Sequence, residues 1–333
     1  MPDSPHSAKT EPLAAAGEKP QAPPAAGASI KRVAHHGWAG SWLISNGIVE
    51  VIVVPQIGRV MQFRLLGDAD GTFWENRALD GRQHPAAPGQ WLNFGGDKCW
   101  PSPQSSWTLH QDHDWPPPHA LDGLPMQACL AAETLVLTST VDAVWGIQVV
   151  RHIRLLPNQP VLHIRTEYRK LAGPPIRTGV WTITQFQEPE QICVLLASPS
   201  KLKSGYISLL DAPPAALQIH DLGIERKVLS LQRHRNAYTK IGADGASLAW
   251  IGRTCVVRMD VVPRPGEYPD GGCLTEVYTN PDPLQYVELE TLGPLHLMAP
   301  GDCIHQNVRY TIFRRTEVEC ATQVRTIFAA CRG

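Results

Sequence analysis

Residues 47–76 read GIVEVIVVPQIGRVMQFRLLGDADGTFWEN, and this stretch decides the fold class. It begins with a run of mostly β-branched residues, Ile48 to Val54, which is typical of a strand. Pro55 to Gly58 gives a turn signal, and Met61 to Leu65 then alternates apolar with polar residues, the period of two of a half-buried strand. A second turn leads to a further short strand at Phe73. The pattern predicts a β-meander.

Short strand candidates of the same kind continue along the chain, about fifteen in all, with turn signals between them. The C-terminal stretch 322–331 is the one segment of about ten residues that favours a helix. Many strands with few helices predict an all-β fold, a large antiparallel β-sandwich. No fixed-period repeat is present, which disfavours a propeller. We expect residues 30–333 to form this sandwich as a single domain.

Residues 1–29 differ in composition from the rest of the chain, being almost all Ala, Pro, Gly and polar residues. Such a segment cannot bury enough apolar surface to offset the entropy of ordering, so it is predicted to be disordered. It also lacks the apolar core of about 7–15 residues of a signal peptide. As written, the chain therefore favours a cytoplasmic location, and a periplasmic or secreted one stays open.

The composition limits the classes of partner. The net charge of −1 over 333 residues gives no electrostatic footprint for nucleic acid or a membrane surface. No apolar run approaches the roughly 18 residues of a membrane span. The eight Cys are scattered without a CxxC pair, so the sequence predicts no zinc site and no cofactor, and disulfide pairing stays open. The oligomeric state is not predicted.

Residues 91–107, WLNFGGDKCWPSPQSSW, form the most unusual segment of the chain. Gly95-Gly96, Pro101 and Pro103 disfavour a helix, and the prolines disfavour a central strand. The segment is therefore predicted to be an ordered loop rich in aromatic residues, and loops on a rigid scaffold often carry binding and catalysis. The alternative is a Trp-rich plug at one end of the sandwich.

Three pieces of the chain together resemble the galactose mutarotase-like, or aldose 1-epimerase-like, superfamily. They are the opening stretch 47–76, the loop LNFGGDKCWPSPQ, and YVELETLGP followed by MAPGD near the end. The loop is most similar to a branch described only as a domain of unknown function, whose members carry GGDK-x-WP-x-PQ. The resemblance covers about residues 47–314. It implies a β-supersandwich with a sugar site on a concave sheet face.

The resemblance also implies a chemistry, ring opening at the anomeric carbon by a Glu base and a His acid. Motif matching places Glu290 at the base. Phe94 stands where the superfamily has the His of its His-Gly-Gly loop, and Gln185 stands where it has its second His. Neither Phe nor Gln can donate a titrating proton, so we expect slow or absent mutarotation of glucose and galactose.

The two catalytic candidates are Glu290 as the base and Lys98 as the acid, with a loop His as the alternative acid. Glu288 is two residues from Glu290 and shares its strand face, so either carboxylate could be the functional one, and a solvated strand face is the alternative for both. Lys98 follows a Gly-Gly turn and could hold an anion or act as an acid with a lowered pKa. Its alternative is a salt bridge that fixes the loop.

Further residues are predicted to contact the substrate through polar groups or aromatic stacking: Asn93, Asp97, Trp100, Gln104, Trp107, Gln185 and Arg151. Core packing is the alternative for at least one of the Trp residues, and packing of the aliphatic stem is the alternative for Arg151. The segment 110–114 has metal-ligand side chains, but its spacing is a weak metal signal, and no metal site is predicted.

The sequence therefore predicts a carbohydrate-active protein that acts on or binds a sugar or sugar derivative. The alternative is a non-catalytic carbohydrate-binding module. We expect the loop 93–107, the strand around Gln185 and the strand around Glu290 to line one cavity. Ile183 shares the face of Gln185 because alternate residues of a strand point to the same side. The partner is a small saccharide whose identity the sequence does not give.

Overall fold

A computed structural model describes residues 27–84, 90–210, 216–223 and 226–329. Most of the segment predicted to be disordered, residues 1–26, lies outside the described residues. The first strand begins at Ser29. The structure is built from short strands in two antiparallel sheets, so the predicted all-β sandwich is confirmed.

The strands of the described residues, numbered in chain order, are β1 (Ser29–His35), β2 (Trp38–Ser45), β3 (Val49–Val54), β4 (Arg59–Leu65), β5 (Asp97–Ser102), β6 (Gln127–Ala131), β7 (Thr134–Thr138), β8 (Ile147–Leu155), β9 (Val161–Lys170), β10 (Ile176–Gln187), β11 (Gln191–Leu195), β12 (Tyr206–Ser208), β13 (Gln218–Gly223), β14 (Arg226–Leu231), β15 (Thr239–Ala243), β16 (Ser247–Ile251), β17 (Cys255–Val261), β18 (Thr275–Thr279), β19 (Tyr286–Leu292), β20 (His296–Met298) and β21 (Cys303–Arg314). Two α-helices, α1 (His119–Asp122) and α2 (Cys320–Ala329), and short 3-10 turns at Pro55–Ile57, Arg77–Leu79 and Gln104–Leu109 complete the described elements.

The larger sheet has 11 strands in the order β1-β2-β3-β4-β5-β10-β19-β18-β15-β12, with β20 beside β10. The second sheet has 10 strands in the order β13-β14-β11-β16-β17-β21-β9-β8-β7-β6. The main core lies between the sheets, where apolar residues such as Val51, Ile164 and Ile312 are fully or almost fully buried. Because successive residues of a strand point to opposite faces, each strand of the 11-stranded sheet also presents side chains away from the second sheet. We call this side the outer face.

The prediction that residues 91–107 form a loop throughout is wrong for their middle part. Asp97–Ser102 is β5, a central strand of the 11-stranded sheet, although it contains Pro101. The structure explains the tolerance, because β4 pairs with β5 only at Asp97 and β10 is its partner along the rest of its length. Near Pro101 the strand therefore needs no ladder bond on its second side.

Helix α2 confirms the predicted C-terminal helix, with bounds shifted by two residues. It packs Val324, Ile327 and Phe328 against the second sheet in a separate apolar cluster. None of the helices in the described ranges is long and apolar enough to cross a membrane.

Candidate functional site

Strand β10 brings together three side chains that lie far apart in the sequence. Ile183 is in register with Lys98 on β5 and with Glu290 on β19, and Gln185 is in register with Glu288. Residues in register point to the same side of a sheet. Lys98, Gln185 and Glu290 therefore share the outer face, with Ile183 between the lysine and the glutamate.

Lys98 lies at the centre of the first polar group on this face. Its Nζ is 3.3 Å from Glu288 Oε1 and 4.8 Å from the centre of the Trp100 ring. Gln185 Nε2 donates to the same Glu288 oxygen at 2.9 Å. Lys98 is 1% exposed and Gln185 is fully buried. The lysine is thus held by a carboxylate and an aromatic face in a dry environment.

The second polar group joins two carboxyls to one lysine. Glu276 on β18 is in register with Glu290, and Lys240 Nζ lies 2.8 Å from Glu276 Oε2 and 3.5 Å from Glu290 Oε2. Trp181 Nε1 donates to Glu290 Oε2 at 2.7 Å, and the Trp181 ring lies 4.7 Å from Lys240 Nζ. The ammonium of Lys240 therefore compensates the charge of two carboxyls. We call these two, Glu276 and Glu290, the carboxyl pair.

The electrostatics of the carboxyl pair favour a shared proton. Burial raises the pKa of Glu276 well above its usual range, and the neighbouring Glu290 raises it further, while Lys240 acts against both. Burial likewise raises the pKa of Glu290, and a protonated Glu276 can donate a hydrogen bond to it. Like charges this close disfavour double ionisation. One proton held between the carboxyls and one adjacent ammonium would balance the group.

Burial has the opposite effect on Lys98, whose pKa is lowered because the charged form loses its hydration; Glu288 opposes this shift. A lysine with a lowered pKa can give up a proton more readily than one in water, and a carboxyl with a raised pKa can accept one nearer neutral pH. The outer face thus carries a candidate acid and a candidate base on the two strands that flank Ile183.

The segment after β5 folds back onto the outer face. Trp100 Nε1 donates to Asp122 Oδ1 at 2.8 Å, and Arg59 binds the same oxygen at 3.0 Å. The Trp100 ring packs edge-on against Trp181 and Trp115 at centroid distances of 5.5 and 5.7 Å. Helix α1, which ends at Asp122, is thereby fixed over the site, and this explains why Lys98 has so little exposure.

Asp97 and Arg151 lie on the opposite side of the sheet, so they are not brought to the outer face. Arg151 on β8 forms a fully buried salt bridge with Asp97 between the two sheets. Asp97 Oδ2 also accepts hydrogen bonds from Thr184 and Tyr310, each at 2.7 Å. This network ties β5 to the second sheet, and it positions Lys98, the next residue.

The other predicted contact residues are placed as follows. Trp107 is fully buried, packs edge-on against Trp100 at a centroid distance of 5.8 Å and donates to the Pro101 carbonyl at 2.8 Å, which is the packing that the alternative describes. Gln104 is half-buried in a 3-10 turn. Asn93 is buried, and its carbonyl accepts from Asn76. Phe94, at the position of the expected His, is fully buried 6.2 Å from Trp38.

The Gly95-Gly96 pair serves the packing of the chain itself. Both residues have positive φ, and a Cβ on Gly95 would lie 2.1 Å from the Trp74 carbonyl oxygen. A Cβ on Gly96 would lie 2.5 Å from the Val60 carbonyl oxygen. Only glycine fits here, which explains the sequence motif.

A cavity of about 630 Å³ is lined among others by Arg177, Lys201, Glu267 and Asp270, and Lys98, Gln185 and Glu290 are not among its lining residues. Arg177 is four residues before Trp181 on β10, so it belongs to the same strand face. Asp270 lies near enough to Glu276 to contribute to its raised pKa. The cavity volume is within the usual range for small-molecule sites.

Sequence reasoning missed Trp181, Lys240 and Glu276. Trp181 and Glu276 lie in the strand candidates 180–186 and 273–279, whereas Lys240 lies outside the strand candidates. Nothing local distinguishes any of the three from a residue on a solvated strand face. Their joint position depends on the register of β10, β15, β18 and β19.

Comparison with known proteins adds the following findings. The family model described as a domain of unknown function, DUF4380, matches residues 42–312. No curated protein sequence matches the chain. A galactose mutarotase-like protein from Lactobacillus casei has a similar structure, with a TM-score of 0.53 at 7% identity over 82% of this chain and 100% of that one. The galactose mutarotase related enzyme from Lactobacillus acidophilus gives a TM-score of 0.52 at 9% identity over 82% and 97%. At these identities the likeness establishes the fold.

Proposed function

The chain belongs to the DUF4380 family, and we propose that it is a carbohydrate-active protein whose site is the outer face around Ile183. On this proposal it binds a sugar or sugar derivative and transfers a proton at it. Glu290 is the base and Lys98 is the acid.

The observation that carries the proposal is the register of Ile183 with both Lys98 and Glu290. A candidate acid, Lys98, and a candidate base, Glu290, lie on either side of the apolar Ile183. Gln185 and Glu288 add a hydrogen-bonding pair one step along the same strands. Sugars present alternating apolar faces and hydroxyl groups, so an apolar floor between polar groups with Trp rings nearby is suited to them.

The roles follow from the charge states. Glu290 accepts a proton from a hydroxyl of the ligand, because burial raises the pKa of this carboxyl and makes it a stronger base. Lys98 donates a proton to a ligand oxygen, because burial lowers the pKa of its ammonium. Lys240 stabilises the ionised form of Glu290 from 3.5 Å.

The ligand reaches these groups from the cavity beside Arg177 and Asp270. Lys98 and Glu290 are each 1% exposed. Trp100, Trp181 and α1 therefore have to move apart to admit a sugar ring. The cavity wall carries both signs of charge, with Glu267 and Asp270 beside Arg177 and Lys201. Because Arg177 is paired with Glu267 at 2.5 Å, the wall favours polar ligands without selecting one sign of charge.

Binding without catalysis is the second candidate function. One observation favours it: both catalytic candidates are already engaged in ion pairs, Lys98 with Glu288 and Glu290 with Lys240. Paired charges of this kind recognise hydroxyl groups well, and they transfer protons less readily than free ones.

A thermal-shift screen tests ligand binding. The full chain is melted with neutral mono- and disaccharides, sugar acids and sugar phosphates, because a ligand of the folded state raises the apparent melting temperature. A hit is repeated with Glu290→Gln, which keeps the side-chain shape, and with Glu50→Gln. Glu50 is a matched control because it pairs with Arg64 on the far strands β3 and β4.

We expect a positive shift that is reduced in Glu290→Gln and kept in Glu50→Gln. If every class of sugar raises the melting temperature equally in both variants, sugar binding lies elsewhere on the protein. The rate of anomer interconversion of the bound hit, measured by NMR against the rate of the free sugar, then separates the two candidates, because a pure binding module gives no acceleration.

A further inference from the structure

The β1–β2 hairpin holds two adjacent histidines in an uncommon arrangement. Neighbouring residues of a strand normally point to opposite faces. His36 has φ of 45° and Gly37 has φ of 92°, so the chain turns between His35 and Trp38, which are in register. The turn brings the two imidazole rings to a centroid distance of 4.0 Å. Positive φ is uncommon in residues other than glycine, and His is one of the residue types that tolerate it.

A carboxylate faces both rings. Glu75 Oε1 is 2.7 Å from His35 Nε2, and Glu75 Oε2 is 3.4 Å from His36 Nε2. One ligand atom from each of the three residues lies within 4.8 Å of the other two. The side chains of His35, His36 and Glu75 are 13%, 31% and 10% exposed, so the cluster is mostly dry but reachable from solvent.

We propose that His35, His36 and Glu75 bind a divalent transition-metal ion of the Zn²⁺ class. Zn²⁺ takes imidazole nitrogen and carboxylate oxygen at about 2.0–2.2 Å, and tetrahedral geometry then separates neighbouring ligand atoms by about 3.3 Å. The present separations of 2.7 and 3.4 Å bracket that value. The ion replaces the proton between His35 and Glu75, and that proton is released to solvent.

Three protein ligands leave one tetrahedral position, which a water or a ligand oxygen can occupy. The backbone of Glu75 is bridged to Gly95, just before β5. The backbone N–H of Trp74 donates to the Gln185 carbonyl at 2.8 Å, and the backbone carbonyl of Trp74 accepts from the Gly96 N–H. An ion on Glu75 would therefore hold the hairpin to the segment that leads into Lys98.

Arg77 occupies the approach to this site. Its Nη1 lies 2.5 Å from His36 Nε2 and 3.9 Å from Glu75 Oε2, and its side chain is 58% exposed. A guanidinium opposes a divalent cation at this distance. The site thus makes a prediction that an ordinary ion-pair network does not: removal of Arg77 strengthens metal binding.

The test is titration of the untagged full chain, stripped with a chelator and dialysed, with Co²⁺ followed by its visible absorption. Competition with Zn²⁺ and calorimetry follow. We expect one equivalent of Zn²⁺ per chain. Glu75→Gln and His36→Asn, the latter compatible with positive φ, should each weaken binding by at least about tenfold. Arg77→Ala should tighten it.

The matched control is the double variant Asp112→Asn with His113→Ala. It removes an exposed histidine–carboxylate pair of the same chemistry, with a nitrogen–oxygen distance of 2.8 Å, and it should bind Zn²⁺ as the parent chain does. The proposal is overturned if the parent chain binds no Zn²⁺ at micromolar concentration. It is also overturned if Glu75→Gln binds equally well, or if Arg77→Ala weakens binding.

Discussion

Lys98 and Glu290 lie on either side of Ile183, in register with it across two neighbouring strand pairs. Two strand spacings separate their backbones by about 9.6 Å. Each side chain has its own counter-charge, Glu288 for the lysine and Lys240 for the glutamate. The relationship places an acid and a base at the two ends of one apolar floor.

Lys98→Met should destabilise the protein. The alternative that the sequence left open for Lys98 is a salt bridge that fixes a loop, but Lys98 is 1% exposed and lies on β5. Its removal leaves Glu288 with Gln185 alone, at a cost of about 1–3 kcal/mol in the free energy of unfolding. Urea denaturation measures this. The double variant Lys98→Met with Glu288→Gln should lose less unfolding free energy than the sum of the two single variants. Additive losses would mean that the two residues do not interact.

Glu276→Gln should reduce the pH dependence of stability. The pKa of Glu276 is raised in the folded protein, so the folded state holds this proton more tightly than the unfolded state. The resulting stability is present below about pH 4.3, the ordinary pKa of Glu, and is lost as pH rises through the raised value.

The melting temperature of Glu276→Gln should therefore rise relative to that of the parent chain as the pH increases above about 4.3. Lys240 then has Glu290 as its only partner within the carboxyl pair. Glu50→Gln serves as the control for the loss of one carboxylate. A difference that shrinks with rising pH would contradict the shared proton.

Asp97→Asn should lower the free energy of unfolding far more than substitutions on the outer face do. Asp97 is the buried partner of Arg151 and accepts from Thr184 and Tyr310. Breaking such a pair costs roughly 3–5 kcal/mol. Tyr310→Phe removes one hydrogen bond of the same network and should cost about 1–3 kcal/mol. Urea midpoints of the two variants give the order, and equal midpoints would show that the ion pair adds little.

Mutarotation of glucose and galactose should be very slow or absent. Phe94 and Gln185 cannot titrate, and Phe94 is packed against Trp38. Polarimetry at high protein concentration measures the rate, with Glu290→Gln as the comparison. Rapid mutarotation that Glu290→Gln abolishes would show that Lys98 or another residue supplies the acid for these sugars. Rapid mutarotation that persists in the variant would remove Glu290 from the base role.

The sequence by itself determined the fold class and the facing of side chains within each strand. Alternation of apolar and polar residues is a local property, fixed by the two-residue period of an extended backbone. It is therefore readable at Met61–Leu65, and it correctly puts Ile183 and Gln185 on one side of β10. The loop motif carried the resemblance to the superfamily, although the contacts that require its glycines, with the Trp74 and Val60 carbonyls, are tertiary.

Only the tertiary structure decided which strands are neighbours and what each charge faces. Asp97 pairs with Arg151 across the two sheets, whereas the adjacent Lys98 pairs with Glu288, 190 residues away. The carboxyl pair and the His35–His36–Glu75 cluster arise in the same way, from strand order and turn geometry. Register is set by the packing of the whole sheet, so no local pattern around Glu276 or Glu75 records its partner.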